Sequence, residues 1–249
     1  MSVSPPPASL SCPLEGASNF RDIGGYAAGA GHFRKGRVYR SDHLADLSPQ
    51  DLRILQELGI ARSLDFRGAH ERQRSPYQYD FLASHALTVE PTILPDLAAM
   101  ASQGRLDADM ARKVMNKTYT EFVTQHSATF AQVFDQLLEA DAPVVMHCTA
   151  GKDRTGFAVA LLHRAAGVGP DDVMHDYLLT RRLFRRPDLP DNRGLSEEVL
   201  EILWGVEPEF LETAFKTIDR EHGGFERYAR QALNLDAARR DALLERYTA

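Results

Sequence analysis

Short unbroken apolar runs alternate along the chain with longer stretches whose apolar residues recur at helical spacing. Pro143-Val144-Val145-Met146 is short, β-branched and uninterrupted, as a buried strand is. Phe157 to Ala166 is apolar apart from His163 and Arg164 and ends at Gly167, which predicts a buried helix with a glycine stop. Upstream, Ser48-Pro49-Gln50-Asp51 supplies an N-cap, a first-turn proline and an acidic third residue, so a helix is expected from there to Leu58, before Gly59. Ile60 to Phe66 reads as a core strand and Ser84 to Val89 as a second, parallel one. Tyr26 to Ser41, with Gly29, Gly31 and Gly36 between short runs, reads as one or two hairpins. Tyr119 to Ala140 sets Phe122, Val123, Phe130, Val133, Phe134, Leu137 and Leu138 on one long amphipathic helix.

Strand, helix, strand, loop and helix in this order predict an α/β fold: a central, mostly parallel sheet flanked by helices, with right-handed crossovers. A ligand belongs at the carboxyl edge of such strands. Beyond Gly169, helical patterns near 170–184, 196–204, 208–222, 225–233 and 236–247 predict an additional C-terminal helical region. The Pro- and Ser-rich residues 1–18 read as a flexible leader and 19–249 as a single domain. Within it, 91–117 has a loose pattern with a weak helix from Leu106 to Met115, either a lid over a pocket or a surface insertion.

Composition narrows the class. At 249 residues, with 43% hydrophobic and 26% charged residues, the chain is long enough for one large α/β domain with additions. A net charge of −6 argues against general nucleic-acid binding, so cationic chemistry should be local to a pocket. The two cysteines, Cys12 and Cys148, are far apart and give no disulfide framework, which fits a reducing compartment. The N-terminus has neither the basic start nor the apolar core of a signal peptide, and no stretch reads as an integral membrane segment. Cytoplasm is the expected location, with export by a route that needs no cleaved signal left open. The histidines show no metal-ligand spacing, and no cofactor is called for. Oligomeric state is not readable.

The chemistry lies between the best-defined strand and helix, in His147-Cys148-Thr149-Ala150-Gly151-Lys152-Asp153-Arg154-Thr155-Gly156. Backbone N–H groups of a strand-to-helix turn, with the helix N-terminus behind them, converge on an anion. Thr149, Ala150, Gly151, Lys152, Asp153 and Arg154 would form that cradle. A thiol beside a helix N-terminus and a guanidinium favours the thiolate, which makes Cys148 the candidate nucleophile. Arg154 offers a planar fork to two phosphoryl oxygens. Thr155 is placed to donate to the sulfur when a thiophosphate intermediate is hydrolysed.

The whole string resembles the phosphate loop of the cysteine-dependent protein tyrosine phosphatase superfamily. Its Gly-Lys-Asp-Arg-Thr-Gly ending is most similar to the bacterial tyrosine/serine phosphatases often called PtpB-like. Asn19-Phe20-Arg21-Asp22-Ile23-Gly24-Gly25-Tyr26, Arg37-Val38-Tyr39-Arg40-Ser41 and Ser63-Leu64-Asp65-Phe66-Arg67, with Glu71 and Arg72 close behind, resemble other parts of that family. The resemblance implies a tyrosine phosphatase-like fold and phosphomonoester hydrolysis through phosphocysteine, with a phosphorylated protein or a phosphoinositide as substrate. A phospho-ligand binding module without turnover is the alternative.

Ester cleavage also needs a carboxyl group that gives a proton to the leaving oxygen. Three candidates stand open. Asp153 lies inside the anion loop, where it could be the acid or hold Lys152 in place. Asp65 ends a core strand at the expected pocket edge, with a salt bridge to Arg67 or Arg72 as its plain reading. Asp96 follows Ile93-Leu94-Pro95, without the tryptophan of the family's mobile acid loop. Lys152 adds a second cation to the rim, suited to more highly charged substrates, or is simply paired with Asp153.

Overall fold

A computed structural model describes residues 14–92, 99–101, 103–187 and 194–249. Five strands make the central sheet: β1 (Arg21–Asp22), β4 (Val38–Ser41), β7 (Val144–His147), β5 (Arg62–Asp65) and β6 (Ala83–Ala86), in that spatial order. β1 runs antiparallel to β4 and the other pairings are parallel. A small hairpin, β2 (Ala27–Ala28) with β3 (Gly31–His32), stands beside it. The expected mostly parallel sheet flanked by helices is thus the observed one.

The central strands β4, β7 and β5 are buried on both faces, as parallel strands are, whereas the edge strand β6 is largely exposed. Val144 and Met146 of β7 enter the large core with Phe66, Phe122, Phe130 and Phe157, while Val145 points to the opposite cluster with Phe20, Tyr39, Leu55 and Leu82. Helix α1 (Pro49–Glu57) starts where expected: the Ser48 hydroxyl accepts from the Asp51 amide at 3.2 Å and the Asp51 carboxylate accepts from the Ser48 amide at 3.0 Å. A short helix α2 (Ala69–Arg74) follows β5.

Two expectations need correction. Val38–Ser41 is no hairpin arm but an interior strand, parallel to β7 and buried along its whole length; only 27–32 forms a hairpin. The long helix over 119–140 is two helices, α3 (Ala108–Thr124) and α4 (Ser127–Glu139), and α3 absorbs most of the weak helix expected over 106–115. The break falls at Gln125 and His126, inside a polar interval from Thr124 to Ser127 that interrupts the apolar pattern. There the Ser127 hydroxyl donates back to the Val123 carbonyl.

Helix α5 (Asp153–Ala165) leaves the loop after β7, and its middle is buried on all sides. Five further helices follow: α6 (Pro170–Leu183), α7 (Glu197–Trp204), α8 (Pro208–His222), α9 (Phe225–Gln231) and α10 (Ala237–Tyr247). Phe210, Ala214, Tyr228, Leu243 and Tyr247 from these helices belong to the same large core as the sheet residues. Of the stretch 91–117, residues 108–117 open α3 and bury Ala111, Val114 and Met115; 93–98, which include Asp96, lie outside the described residues, as does Cys12.

Candidate active site

Register fixes where the chemistry sits. Ser41 of β4 and Asp65 of β5 both pair with His147 of β7, so three strands end level and their following residues meet at one edge. Cys148 begins the turn there, 2% exposed, and Asp153 opens α5. Gly151 turns the loop with φ +65°; a Cβ on it would lie 2.2 Å from the Ser41 carbonyl oxygen, so backbone conformation and close approach both require glycine.

Arg154 is held by Glu71 of α2 in an end-on pair, Nη1 donating to Oε2 at 2.7 Å and Nη2 to Oε1 at 2.8 Å. Nη1 also donates to the Phe66 and Val89 carbonyls, each at 3.3 Å. The Nε–H and the remaining Nη2–H, which form the side-on fork of a guanidinium, donate to no described residue. Burial alone would lower the Arg154 pKa, but the Glu71 hydrogen bonds and the neighbouring Cys148, Glu71 and Asp153 raise it by more, so the fork is permanently charged. Glu71 accepts in addition from the Gly68 amide and the Thr149 hydroxyl. Burial pushes its carboxyl up, yet the Arg154 and Thr149 contacts hold it at about 2.

The front of the loop carries Lys152 and Asp153. Lys152 Nζ donates to Asp153 (2.8 Å to Oδ2, 3.1 Å to Oδ1) and to the Gly205 carbonyl at 3.0 Å. The Tyr119 hydroxyl donates to Asp153 Oδ1 at 3.0 Å and pairs with the Tyr177 hydroxyl at 2.7 Å. Asp153 is 20% exposed and Lys152 only 6%. The pairing of Lys152 with Asp153 is therefore observed, but on a nearly buried lysine and not a solvated one.

Asp65 is paired with Arg67. Arg67 donates to it from the backbone N–H at 2.9 Å, from Nε at 3.0 Å and from Nη2 at 2.8 Å. Burial pushes the Asp65 carboxyl up, and His147 and Arg67 together bring it below the ordinary range. His147 Nε2 is 3.9 Å from Asp65 Oδ2, but burial pushes the imidazole down to about 4, so at neutral pH Arg67 alone supplies the charge. His147 instead shares a 2.7 Å hydrogen bond with the Tyr77 hydroxyl. Arg72, the other partner considered for Asp65, donates to the Arg67 carbonyl and to Thr88.

Thr155 lies in the first turn of α5, and its hydroxyl is fully buried without a hydrogen bond to any described residue, the sulfur of Cys148 included. Of the residues expected from the sequence, Cys148, Thr149, Ala150, Gly151, Lys152, Asp153, Arg154 and Thr155 form one loop and helix start; Asp65 stands beside it in its own ion pair. Glu71 was not among the expected site residues. Its place three positions into a helix that begins at the same sheet edge is the signal that would have found it.

A model of the tyrosine phosphatase family matches residues 12–249. A Cupriavidus necator protein named for tyrosine-protein phosphatase activity is 34% identical over 230 residues, spanning 89% of this chain and 83% of its own. The triple specificity protein phosphatase PtpB of Mycobacterium tuberculosis is 31% identical over 258 residues, 88% of this chain and 92% of its own. Among solved structures, Pseudomonas aeruginosa TpbA aligns over 76% of this chain and 95% of its own at 17% identity with a TM-score of 0.37. With its whole described length inside the family match and two relatives above 30% identity, the chain belongs to the tyrosine phosphatase family.

Proposed function

We propose that this phosphatase hydrolyses phosphate monoesters, phosphotyrosine among them, through a phosphocysteine intermediate on Cys148. The single observation that carries the reading is the open side-on fork of Arg154, charged and anchored by Glu71 at the N-terminus of the helix that follows Cys148. Such a fork matches two phosphoryl oxygens, and its charge counts for most as those oxygens gain charge in the transition state.

In the first step the Cys148 thiolate attacks phosphorus, the ester P–O bond breaks, and the leaving oxygen takes a proton. Asp153 is the donor this arrangement favours, because it stands on the loop's front with Lys152, whereas Asp65 has its oxygens committed to Arg67. A phosphate dianion competes with Asp153 for Lys152; the released carboxylate, now beside a second negative charge, takes a proton from solvent and gives it to the leaving oxygen. In the second step water attacks phosphorus with Asp153 as base, the S–P bond breaks, and phosphate and thiolate are regenerated. Asp65 acts as a positioning residue that holds Arg67 and the end of β5. Thr155, with an unused buried hydroxyl, is available to donate to the departing sulfur.

Substrate range extends beyond phosphotyrosine in this reading. Lys152 adds a second cation, and the similar PtpB is named for triple specificity, so phosphoserine/threonine and phosphoinositides belong among the substrates. Initial rates on a phosphotyrosine peptide, a phosphoserine peptide and soluble phosphoinositides, run side by side, test that extension. For the chemistry itself, wild-type protein should hydrolyse an aryl phosphate in the presence of chelator, and Cys148→Ser should abolish turnover while keeping inorganic phosphate affinity within about tenfold. Turnover surviving the substitution overturns the intermediate; a binding module without turnover would fail already with the wild type.

A further inference from the structure

We propose that a buried clamp of Asn19, Arg21, Arg40 and Asp176 pins the outward carbonyls of the 149–151 turn and thereby sets the inward direction of the amides that hold phosphate. The inference rests on the phosphatase reading and adds positioning residues to it.

The geometry starts from the planar trans peptide, in which N–H points opposite to the C=O of the same unit. The Thr149 carbonyl accepts from the His43 amide at 3.2 Å. The Ala150 carbonyl accepts from Asn19 Nδ2 at 3.4 Å, and the Gly151 carbonyl from the same Nδ2 at 2.9 Å and from Arg40 Nη2 at 2.6 Å. Three consecutive carbonyls are thus drawn toward the N-terminal segment. The N–H groups of the same units, on Ala150, Gly151 and Lys152, face the other way and donate to no described residue. A buried amide without a partner is costly, so these donors await an acceptor, which an oxyanion supplies.

The clamp is itself held from behind. Asp176 of α6 accepts from Arg40 Nη1 at 2.7 Å and from Arg21 Nε at 3.0 Å, and its backbone carbonyl accepts from Arg21 Nη2 at 2.8 Å. Arg21 Nη1 donates to both oxygens of Asn19. Asn19 has φ +58°, a left-handed conformation that asparagine tolerates better than most residues, and it is this conformation that carries its amide under the turn. Gly156 completes the fit: a Cβ there would stand 3.0 Å from the Tyr177 ring and 3.4 Å from Arg40 Nη2. Two buried guanidinium groups share one carboxylate, so the cluster carries a net positive charge directly behind the anion loop. If a peptide unit flipped, a carbonyl oxygen would replace an N–H at the phosphate, turning attraction into repulsion.

Asn19→Asp tests the clamp. It keeps the size and the tolerance for positive φ but turns the Nδ2 donor into an oxygen that faces two carbonyls. Orthovanadate inhibition, aryl phosphate kcat and KM, and thermal unfolding are read on wild type, Asn19→Asp and Asn19→Gly. The expected result is a vanadate inhibition constant raised about tenfold or more in Asn19→Asp, a matching fall in kcat/KM, and an intermediate effect in Asn19→Gly. If Asn19→Asp does not fold, Asn19→Gly alone must still weaken vanadate. Variants that melt lower but bind vanadate as wild type does would make the cluster merely structural and overturn the proposal. Wild-type protein that neither binds vanadate nor turns over would sink the phosphatase reading and the clamp with it, whereas wild-type binding with unchanged variants sinks the clamp alone.

Discussion

The anion loop is held differently on its two sides. Behind it, Arg21, Arg40 and Asp176 are at most 1% exposed and each makes several hydrogen bonds to fixed partners. In front, Lys152 is nearly buried but its partner Asp153 is 20% exposed, and Glu71 is 32% exposed. Buried ion networks contribute little net stability against an apolar alternative, yet breaking one is expensive, so their use is to fix geometry. Exposed pairs are weak and can exchange partners. The back therefore sets amide direction, and the front is free to re-pair when a dianion arrives.

The largest effect should come from breaking the back. Asp176→Ala leaves two buried guanidinium groups without a counter-charge, and unfolding in urea should show a loss of about 3–5 kcal/mol. Asp153→Ala on the front should cost about 1–3 kcal/mol by the same measurement, since Asp153 is itself 20% exposed although its partner Lys152 is nearly buried. Equal losses at the two positions would erase the distinction between the sides.

Next in size is a kinetic difference within the front. Asp153→Asn should slow hydrolysis of an alkyl phosphate about a hundredfold and that of an aryl phosphate with a good leaving group far less, because only the poor leaving group depends on a delivered proton. Asp65→Asn should slow both substrates alike, as a loosened Arg67 would. The reverse pattern would make Asp65 the acid.

The β7, loop and α5 unit was legible in the sequence because everything that defines it is local: a β-branched run, two glycines, an arginine six positions after a cysteine, and an apolar helix. The back of the loop was not. Gly29, Gly31 and Gly36 make Val38–Ser41 read as a hairpin arm, and its Arg40 and Ser41 give no sign of an interior strand, although the charge is tolerated there because Asp176 meets it from 136 residues away. Neither partner shows its role in its own neighbourhood. Glu71 was hidden for a related reason: its first-turn position reads as ordinary helix chemistry, and only the fold brings it to Arg154. The single helix expected over 119–140 failed because the apolar period resumes after the Gln125–His126 break, and periodicity does not see a polar interruption that leaves the phase nearly intact.

The smallest predicted effect sharpens the comparison through pH. Glu71 titrates at about 2 in the folded protein against an ordinary value of 4.5, so the folded state binds its proton less tightly than the unfolded chain does. The stability it contributes is complete above about pH 4.5 and is lost as pH falls toward 2. His147, pushed down to about 4 by burial, also favours the folded state as pH rises. Asp42, which burial pushes up to about 6, works in the opposite sense, its contribution falling as pH rises through that value. Glu71→Gln leaves both of those groups in place, so the difference in melting temperature between wild type and variant isolates the Glu71 carboxylate. That difference should be about 2–4 °C from pH 5 to 7, shrink below 4.5 and approach a constant residue near 2. A difference that does not change across this range would mean that Glu71 holds Arg154 by shape rather than by charge, and the front of the loop would then be as fixed as the back.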